Sequence, residues 1–220
     1  MARGHRPCEA AGSGYMGTGA EHARPWPIWT AADMTKSVTA IFTGRVIQVN
    51  LERVILPNGT RAELEIVRHP GGAAIVALDA EGRICLLRQY RHAAGGWIWE
   101  LPAGKLDHGE PPLATARREL EEEAGMHAGS WRSLGDCLSS PGVFTEIVHL
   151  YLATELTPVE QRLEDHEVIE VHWIPFEAAL AMAHRGELRD GKTLAGLLRA
   201  SAAMTCGTPA GDAPDASPAS

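Results

Sequence analysis

The sequence predicts a mixed α/β or α+β sandwich, and three observations support this fold class. Apolar segments of strand length stand before, between and after segments with helical spacing, which is the element order of layered mixed folds. The chain has 220 residues, of which 45% are hydrophobic, so one domain with a substantial core and two tails can form. The clearest helical pattern lies in the middle of the chain and ends in a run of glutamates. We therefore expect strands and helices to pack in layers around one core.

The first folded segments are expected to be strands of a small sheet. Segments 42–50 and 61–69 flank a Pro-Asn-Gly turn at 57–59, and Asn-Gly is a strong hairpin signal. In the second segment Leu64 and Ile66 alternate with glutamates, as in a strand with one exposed face. These strands are expected to form a small antiparallel sheet ahead of the main domain.

The central segments predict strands that are covered on both faces. Residues 73–78 and 83–90 are rich in apolar residues and are joined by a short polar turn at 79–82. Such continuous apolar runs are typical of buried strands. Further elements complete the expected order: strands at 97–102, 147–156 and 168–174, and helices at 176–185 and 191–202.

The central helix is expected to begin at the Pro111-Pro112 pair and to end before Gly125. Proline is tolerated in the first turn of a helix, where its missing N–H costs little, and glycine favours the left-handed conformation that ends a helix. Apolar residues at helical spacing provide the face that packs on the core: Leu113, Ala116, Leu120 and Ala124.

The glutamates near the end of this helix predict a cation site. Glu119, Glu122 and Glu123 are three and four residues apart and therefore project from one side of the helix. Negative charge in a last helical turn is unfavourable by about 0.3–1 kcal/mol for each group, because the helix dipole is already negative there. A divalent cation would reverse this effect, and oxygen ligands without histidine or cysteine favour Mg²⁺ over zinc. Arg118 can pair with Glu122, and Glu110 is a second candidate partner for Arg118.

A solvated acidic face is the alternative interpretation of these glutamates, and the loop before the helix argues against it. Residues 101–104 can bring backbone close to the helix, since Gly104 can adopt conformations that other residues avoid. A free carbonyl at Ala103 would add one more oxygen ligand.

The segment 104–126 resembles the signature of the Nudix hydrolase family, G-x5-E-x7-R-E-U-x-E-E-x-G-U, in which U is a bulky aliphatic residue. The resemblance implies an α/β/α sandwich with a mixed sheet. It also implies Mg²⁺-dependent cleavage of a nucleoside diphosphate linked to another group, with Mn²⁺ as a possible substitute. The matching residues are Gly104, Glu110, Arg118, Glu119, Leu120, Glu122, Glu123 and Gly125, with Met126 in the last aliphatic position.

The resemblance also implies roles for the residues of the signature. Metal ligation is implied for Ala103, Glu119, Glu122 and Glu123. Support around the ligands is implied for Arg118, Glu110 and Gly104. The signature leaves Glu121 free, so this side chain should point away and its replacement should leave activity nearly unchanged.

The flanking segments resemble the ADP-ribose pyrophosphatase branch of that family. The likeness is carried by RQYR at 88–91, ELPAG at 100–104 and SPG at 140–142. Glu146 is similar to a loop glutamate that acts as general base or as ligand of a third metal ion, and the alternative base is a helix glutamate such as Glu122.

Three residues near the strands are candidates for substrate binding. Arg91 resembles a residue that contacts the diphosphate or ribose, and Glu100 resembles one that lines the pocket. Arg88 is a weaker candidate, since both arginines could instead be exposed at a strand end. The N-terminal strands resemble those that build a swapped homodimer in this branch.

The resemblance leads us to expect hydrolysis of ADP-ribose to AMP and ribose 5-phosphate. One alternative is another nucleoside diphosphate derivative, such as the nucleotide sugar GDP-mannose or a dinucleoside polyphosphate. A second alternative is a nucleotide-binding sensor without catalysis. The complete set of carboxylates favours an enzyme.

Composition argues against several other classes. A net charge of -8 is unsuited to bulk nucleic-acid binding, and no apolar run of about 18 residues suggests a membrane span. Without a visible secretory signal, and with four scattered cysteines, a cytoplasmic protein is expected. The P-loop pattern at 186–193 is expected to join two helices, since a true P-loop follows a strand. The expected organisation is a disordered tail at 1–35, a strand subdomain at 36–68, the main domain at 69–203 and a disordered tail at 204–220.

Overall fold

The computed structural model describes residues 34–164 and 167–205. Most of the two expected tails, residues 1–33 and 206–220, lies outside that part of the chain. Among the described residues, no helix is both long and apolar enough to cross a membrane. The first three strands are β1 (Thr35–Thr43), β2 (Gln48–Ile55) and β3 (Arg61–Arg68).

These strands form a separate antiparallel sheet in the order β1-β2-β3. The predicted turn joins β2 to β3, with Gly59 at a left-handed φ of 83°. The prediction of one strand over 42–50 was wrong. The chain turns at Gly44, whose N–H donates to the Ile47 carbonyl at 2.9 Å, so that this segment contains the end of β1 and the start of β2. The sequence analysis missed this turn because Gly44 is the only residue in segment 42–50 that signals one.

The main domain contains two further sheets. One is mixed and has the order β7-β4-β9-β8, with β4 parallel to β9; the other is antiparallel and has the order β10-β5-β6. The strands are β4 (Gly72–Ala77), β5 (Arg83–Arg91), β6 (Gly96–Glu100), β7 (Ala103–Lys105), β8 (Met126–Leu138), β9 (Ile147–Pro158) and β10 (Ile169–Pro175). The helices are α1 (Pro112–Ala124), α2 (Phe176–His184) and α3 (Gly191–Thr205).

Strand β4 separates two hydrophobic clusters. All six of its residues are buried, which confirms the predicted double-sided covering. Ala73 and Ile75 belong to the cluster beneath α1, whereas Ala74 and Val76 belong to the cluster beneath α2 and α3. Successive strand residues point to opposite faces, so one short strand serves both clusters. The layers form the expected α/β/α sandwich with a small antiparallel sheet before it.

Strand β8 was missed by the sequence analysis. Its 13 residues contain two glycines and several polar side chains, and their burial does not alternate cleanly. The pairing with β9 shifts register between Ser133 and Asp136, where Gly135 has a φ of 80°. A bulge of this kind interrupts the alternating pattern on which strand prediction depends.

Candidate active site

Helix α1 has the ends that its sequence predicts. Pro111 precedes it in an extended conformation, and Pro112 is its first residue. Gly125 follows it with a left-handed φ of 63° and donates its N–H to the Glu121 carbonyl at 3.1 Å. Ala116 and Leu120 are fully buried, so the apolar face is fixed on the sheet and the glutamates are held at its edge.

The glutamates of α1 differ in burial. Glu123 is 2% exposed and Glu119 is 7% exposed, whereas the Glu122 side chain is 30% exposed. Glu121 lies on another side, where its Oε1 is 2.9 Å from His127 Nδ1. The helix therefore presents three glutamates to one region and Glu121 to another, as the signature implied.

The segment before α1 approaches the helix closely. The Ala103 N–H donates to Glu123 Oε2 at 2.7 Å. A Cβ atom added at Gly104 would lie 1.8 Å from Glu119 Oε1, so only glycine leaves room for this carboxylate. The φ of Gly104 is not positive. Its requirement for glycine is therefore one of space and not, as expected, of unusual backbone conformation.

Arg118 connects the acidic groups around the helix. Its Nη1 donates to Glu119 Oε1 at 2.6 Å and to Glu122 Oε2 at 3.1 Å. Its Nε and Nη2 donate to the two carboxylate oxygens of Glu110 at 3.3 and 3.1 Å, and Nη2 also reaches the Lys105 carbonyl at 3.3 Å. One guanidinium thus binds three carboxylates, which explains how so much negative charge is accommodated.

Burial changes the acidity of the helix carboxylates. It raises the pKa of Glu123 to about 8, aided by Glu119 and Glu167 and opposed by the Ala103 N–H. Burial also raises the pKa of Glu119, against the attraction of Arg118. At Glu110 burial is outweighed by hydrogen bonds from Arg118 and Thr115, which hold the pKa of this carboxyl below its usual range. A buried carboxylate without a full set of partners is costly, and a cation nearby would remove that cost.

The donor set fits a hard divalent cation. Glu119 and Glu122 converge on a single positively charged atom, Arg118 Nη1, and all the side-chain donors are carboxylate oxygens. Among residues 34–164 and 167–205, no group of three His, Cys, Asp or Glu side chains is arranged to hold a metal ion. Glu119 and Glu122 would be available to hold such a cation if Nη1 released them.

A cavity of about 740 Å³ lies in front of these groups. Most of the predicted site residues line it: Arg91, Ala103, Gly104, Arg118, Glu119, Glu122, Glu123 and Glu146. Three predicted residues do not line it. Glu110 lies behind Arg118, Glu100 lies beneath Arg91, and Arg88 lies on the outer surface against Trp97, with its Cζ 5.4 Å from the ring centre.

Glu100 positions the basic side chains of the cavity. Arg91 donates to both its carboxylate oxygens, with Nε at 2.8 Å and Nη2 at 3.1 Å, and Lys192 Nζ donates to Oε2. Glu100 is 2% exposed, and although its burial acts in the opposite direction, Arg91 and Lys192 hold its pKa below the usual range. This buried carboxylate therefore fixes two positively charged side chains at the wall of the cavity.

Lys192 is a cavity residue that the sequence analysis did not assign. It stands in the segment that imitates a P-loop, and the structure confirms that this segment joins two helices. Asp190 accepts hydrogen bonds from the N–H and the hydroxyl of Thr193 at 3.0 and 2.6 Å, and the Thr193 hydroxyl accepts from the Leu101 N–H at 2.9 Å. The cap of α3 thereby places Lys192 beside Glu100. The Asp-x-Lys-Thr pattern was the signal that could have indicated it.

Glu146 lines the cavity from the loop before β9. Its side chain is 22% exposed, and its Oε1 is 3.5 Å from His69 Nδ1. His69 and Lys105 also line the cavity and were not predicted. His69 lies outside the signature and Lys105 occupies a position that the signature leaves free, so no sequence signal distinguished them from other basic residues.

The chain is similar to known proteins over most of its length. A family model described as NUDIX domain matches residues 68–197. An ADP-ribose pyrophosphatase from Bacillus subtilis (strain 168) is 43% identical over 155 residues, which cover 70% of this chain and 84% of that protein. An ADP-ribose pyrophosphatase from Mycobacterium tuberculosis (strain ATCC 25618 / H37Rv) is 40% identical over 174 residues, which cover 78% and 84%.

A solved structure of an ADP compounds hydrolase shares the fold. It superposes with a TM-score of 0.68 over 78% of this chain and 94% of that chain, at 19% identity.

Proposed function

Because this chain belongs to the Nudix family, we propose that it hydrolyses the diphosphate bond of ADP-ribose to give AMP and ribose 5-phosphate, with Mg²⁺ or Mn²⁺ as cation. One observation carries the proposal: three of the four glutamates of α1 face the same cavity as Arg91 and Lys192. Carboxylates suit a hard cation, and paired basic side chains suit a diphosphate. The substrate is supported by two relatives of at least 40% identity that are named ADP-ribose pyrophosphatase.

The cation would be held by four residues: Ala103 through its carbonyl, and Glu119, Glu122 and Glu123 through their carboxylates. A bound divalent cation neutralises the diphosphate and lowers the pKa of a coordinated water. The Ala103 N–H orients Glu123, and Gly104 leaves the space that Glu119 occupies.

Arg118 would change partners when the cation binds. Its Nη1 contacts to Glu119 and Glu122 occupy the oxygens that the cation needs. Its Nε and Nη2 remain anchored on Glu110 and on the Lys105 carbonyl. Arg118 can therefore release the two ligands without leaving the site.

We assign the general base to Glu146. It lines the cavity from the loop before β9 and not from α1, whereas Glu122 is one of the proposed ligands of the cation. Glu146 would take a proton from the attacking water, and the resulting hydroxide would attack one phosphorus. Loss of a general base typically lowers the rate by about 10²–10⁴.

Arg91 and Lys192 would bind the anionic substrate. Both line the cavity and are held on the buried carboxylate of Glu100. Because they are fixed in place before substrate arrives, little conformational entropy is lost on binding.

The test is a product assay with the purified protein, Mg²⁺ and ADP-ribose. AMP and ribose 5-phosphate are expected, and a Glu122→Gln variant should lose turnover while keeping its fold. Glu121→Gln is the matched control, since Glu121 faces away from the cavity. A panel with GDP-mannose and dinucleoside polyphosphates ranks the alternative substrates by kcat/KM. No AMP from ADP-ribose would refute that substrate, and tight binding without turnover of any of them would identify a sensor.

We also propose a homodimer built through the N-terminal sheet. Eight of the nine residues of β1 are exposed, and the exposed side chains include Val38, Ile41 and Phe42 at 53%, 63% and 56%. An apolar strand of this kind is a surface for association. Light scattering should give twice the mass of the chain, and a monomer at micromolar concentration would refute the proposal.

A cytoplasmic location is proposed from the cysteines. Cys85 and Cys137 are free thiols in the described part of the chain, as is usual in a reducing compartment. Fractionation of the producing cells tests this proposal.

A further inference from the structure

The segment that follows β9 is hydrogen-bonded to the end of helix α1. The Arg162 N–H donates to the Glu122 carbonyl at 3.0 Å, and Gln161 Nε2 donates to the Glu123 carbonyl at 2.5 Å. Gln161 stands 38 positions after Glu123 in the sequence, outside the family signature. The main chain of two proposed cation ligands is therefore held by a distant part of the chain.

Gly125 gives this segment room to approach the helix. The Val159 N–H donates to the Gly125 carbonyl at 2.9 Å. A Cβ atom added at Gly125 would lie 3.2 Å from the Val159 carbonyl oxygen and 3.4 Å from Gln161 Cβ. A side chain at this position would press the segment away from the helix. Glycine therefore serves here for space as well as for its left-handed conformation.

The hydrogen bonds satisfy carbonyl groups that the helix leaves without partners. The last carbonyls of a helix have no N–H partner within it. The Gly125 N–H is directed at the carbonyls of Leu120 and Glu121. The next two carbonyls, of Glu122 and Glu123, are the ones that accept from the segment after β9.

The bond from Gln161 is the one among these contacts that depends on a side chain. A main-chain N–H is available from any residue except proline, whereas the bond to the Glu123 carbonyl needs the Gln161 amide. Glu123 is thereby held at two points, since its carboxylate accepts from the Ala103 N–H at 2.7 Å. Gln161 itself is exposed and does not line the cavity, so it acts on the site through Glu123.

We propose that Gln161 is a positioning residue for the cation site, which holds the main chain of Glu123 so that its carboxylate stays on the side of the helix that faces the cavity. The inference rests on the proposed function and on Glu123 as a cation ligand. A ligand that is fixed before the cation arrives loses less conformational entropy when the cation binds. Without the amide, the last helical turn is held less firmly and cation binding should weaken, while the groups that bind the substrate stay unchanged.

Four variants separate this role from other effects of substitution. Gln161→Met keeps the length of the side chain but has no donor, and Gln161→Ala is a second variant without one. Gln161→Arg restores a donor, because its Nε–H is as many bonds from Cβ as the glutamine amide nitrogen. Glu160→Gln is the matched control, since Glu160 is an exposed neighbour and its replacement changes the charge by the same amount as Gln161→Arg. Circular dichroism establishes that each variant is folded.

Binding of Mn²⁺ to the protein without substrate, followed by the EPR signal of free Mn²⁺, gives the main readout. Gln161→Met and Gln161→Ala should raise the dissociation constant about three- to tenfold, as expected for loss of one hydrogen bond behind a metal ligand. Gln161→Arg and Glu160→Gln should bind Mn²⁺ like the wild type. In the product assay, Gln161→Met should raise the Mg²⁺ concentration for half-maximal activity by the same factor and keep turnover at saturating Mg²⁺ within about twofold of wild type.

Each contrary result has a distinct meaning. Unchanged Mn²⁺ affinity in Gln161→Met and Gln161→Ala, or losses in Gln161→Arg or Glu160→Gln as large as theirs, would overturn the role of Gln161 while the proposed hydrolysis stands. The expected pattern of Mn²⁺ affinities in a protein that hydrolyses none of the panel would overturn the hydrolysis and leave the role of Gln161. A folded wild-type protein that binds no Mn²⁺ would overturn the cation site and both proposals with it.

Discussion

Replacing Glu123 by glutamine should change how the stability of the metal-free protein depends on pH. Glu123 is 2% exposed, and burial raises its pKa to about 8. The folded state therefore binds a proton at this site that the unfolded state has released. Above the ordinary value of 4.5, the free energy of unfolding must fall as the pH rises, until Glu123 is ionised in both states.

The size of the effect follows from the two pKa values. At about 1.4 kcal/mol for each pH unit, the difference between 4.5 and about 8 corresponds to about 5 kcal/mol between pH 4.5 and pH 8. Glutamine has nearly the shape of protonated glutamate and carries no charge. Its carbonyl can accept the hydrogen bond from the Ala103 N–H that Glu123 accepts in the wild type. The variant should thus match the wild type near pH 5 and exceed it by several kcal/mol near pH 9.

Urea unfolding in the presence of EDTA, at half-unit steps from pH 5 to pH 9, measures the difference. Glu121→Gln is the control and should follow the wild-type curve, because Glu121 lies with His127 outside the cavity. Mg²⁺ should restore stability to the wild type at high pH but not to Glu123→Gln, since the cation binds the ionised carboxylate. If the free energy of unfolding of the wild type and of Glu123→Gln depended on pH in the same way, burial would not raise the pKa of Glu123.

Two other substitutions test the geometry. Gly104→Ala should fold but lose about 10- to 100-fold in activity or cation affinity, because its methyl group displaces Glu119. Gly142→Ala is its control, since a Cβ there meets no atom within 4 Å, and full activity of Gly104→Ala would contradict the close contact. Lys192→Met should raise KM about tenfold with a smaller effect on kcat, because it removes one of the two basic side chains proposed to bind the anionic substrate; an unchanged KM would exclude Lys192 from substrate binding. EDTA should abolish hydrolysis in the product assay and excess Mg²⁺ should restore it, whereas activity that persists in EDTA would exclude a cation.

The features of α1 could be predicted because they depend on residues close together in the sequence. The proline start, the Gly125 cap and the apolar stripe all act within one or two helical turns. The division between Glu123, which faces the cavity, and Glu121, which does not, follows from the helical period alone.

The features that escaped prediction depend on distant parts of the chain. Lys192 and Glu100 are 92 residues apart, and His69 bonds a residue 76 positions away. Neither pair has a periodic signal, since tertiary packing brings the partners together. The sequence analysis expected glycine at position 104 because of its backbone conformation. Glycine is indeed required there, but because of the space that it leaves. The Glu119 side chain lies so close to Gly104 that a Cβ atom would collide with it, and this contact arises only in the folded chain.

The small side chains of β4 determine how closely helix α1 packs on the sheet. Ala73 is fully buried, pairs with Gly104, and lies in the cluster that contains Ala116 and Leu120 of α1. A larger residue there would move the helix outward, and the 2.7 Å bond between Ala103 and Glu123 would lengthen with it. The size of a buried side chain in β4 can therefore tune hydrolysis through the position of α1, so activity depends on methyl groups in this strand as well as on charged groups.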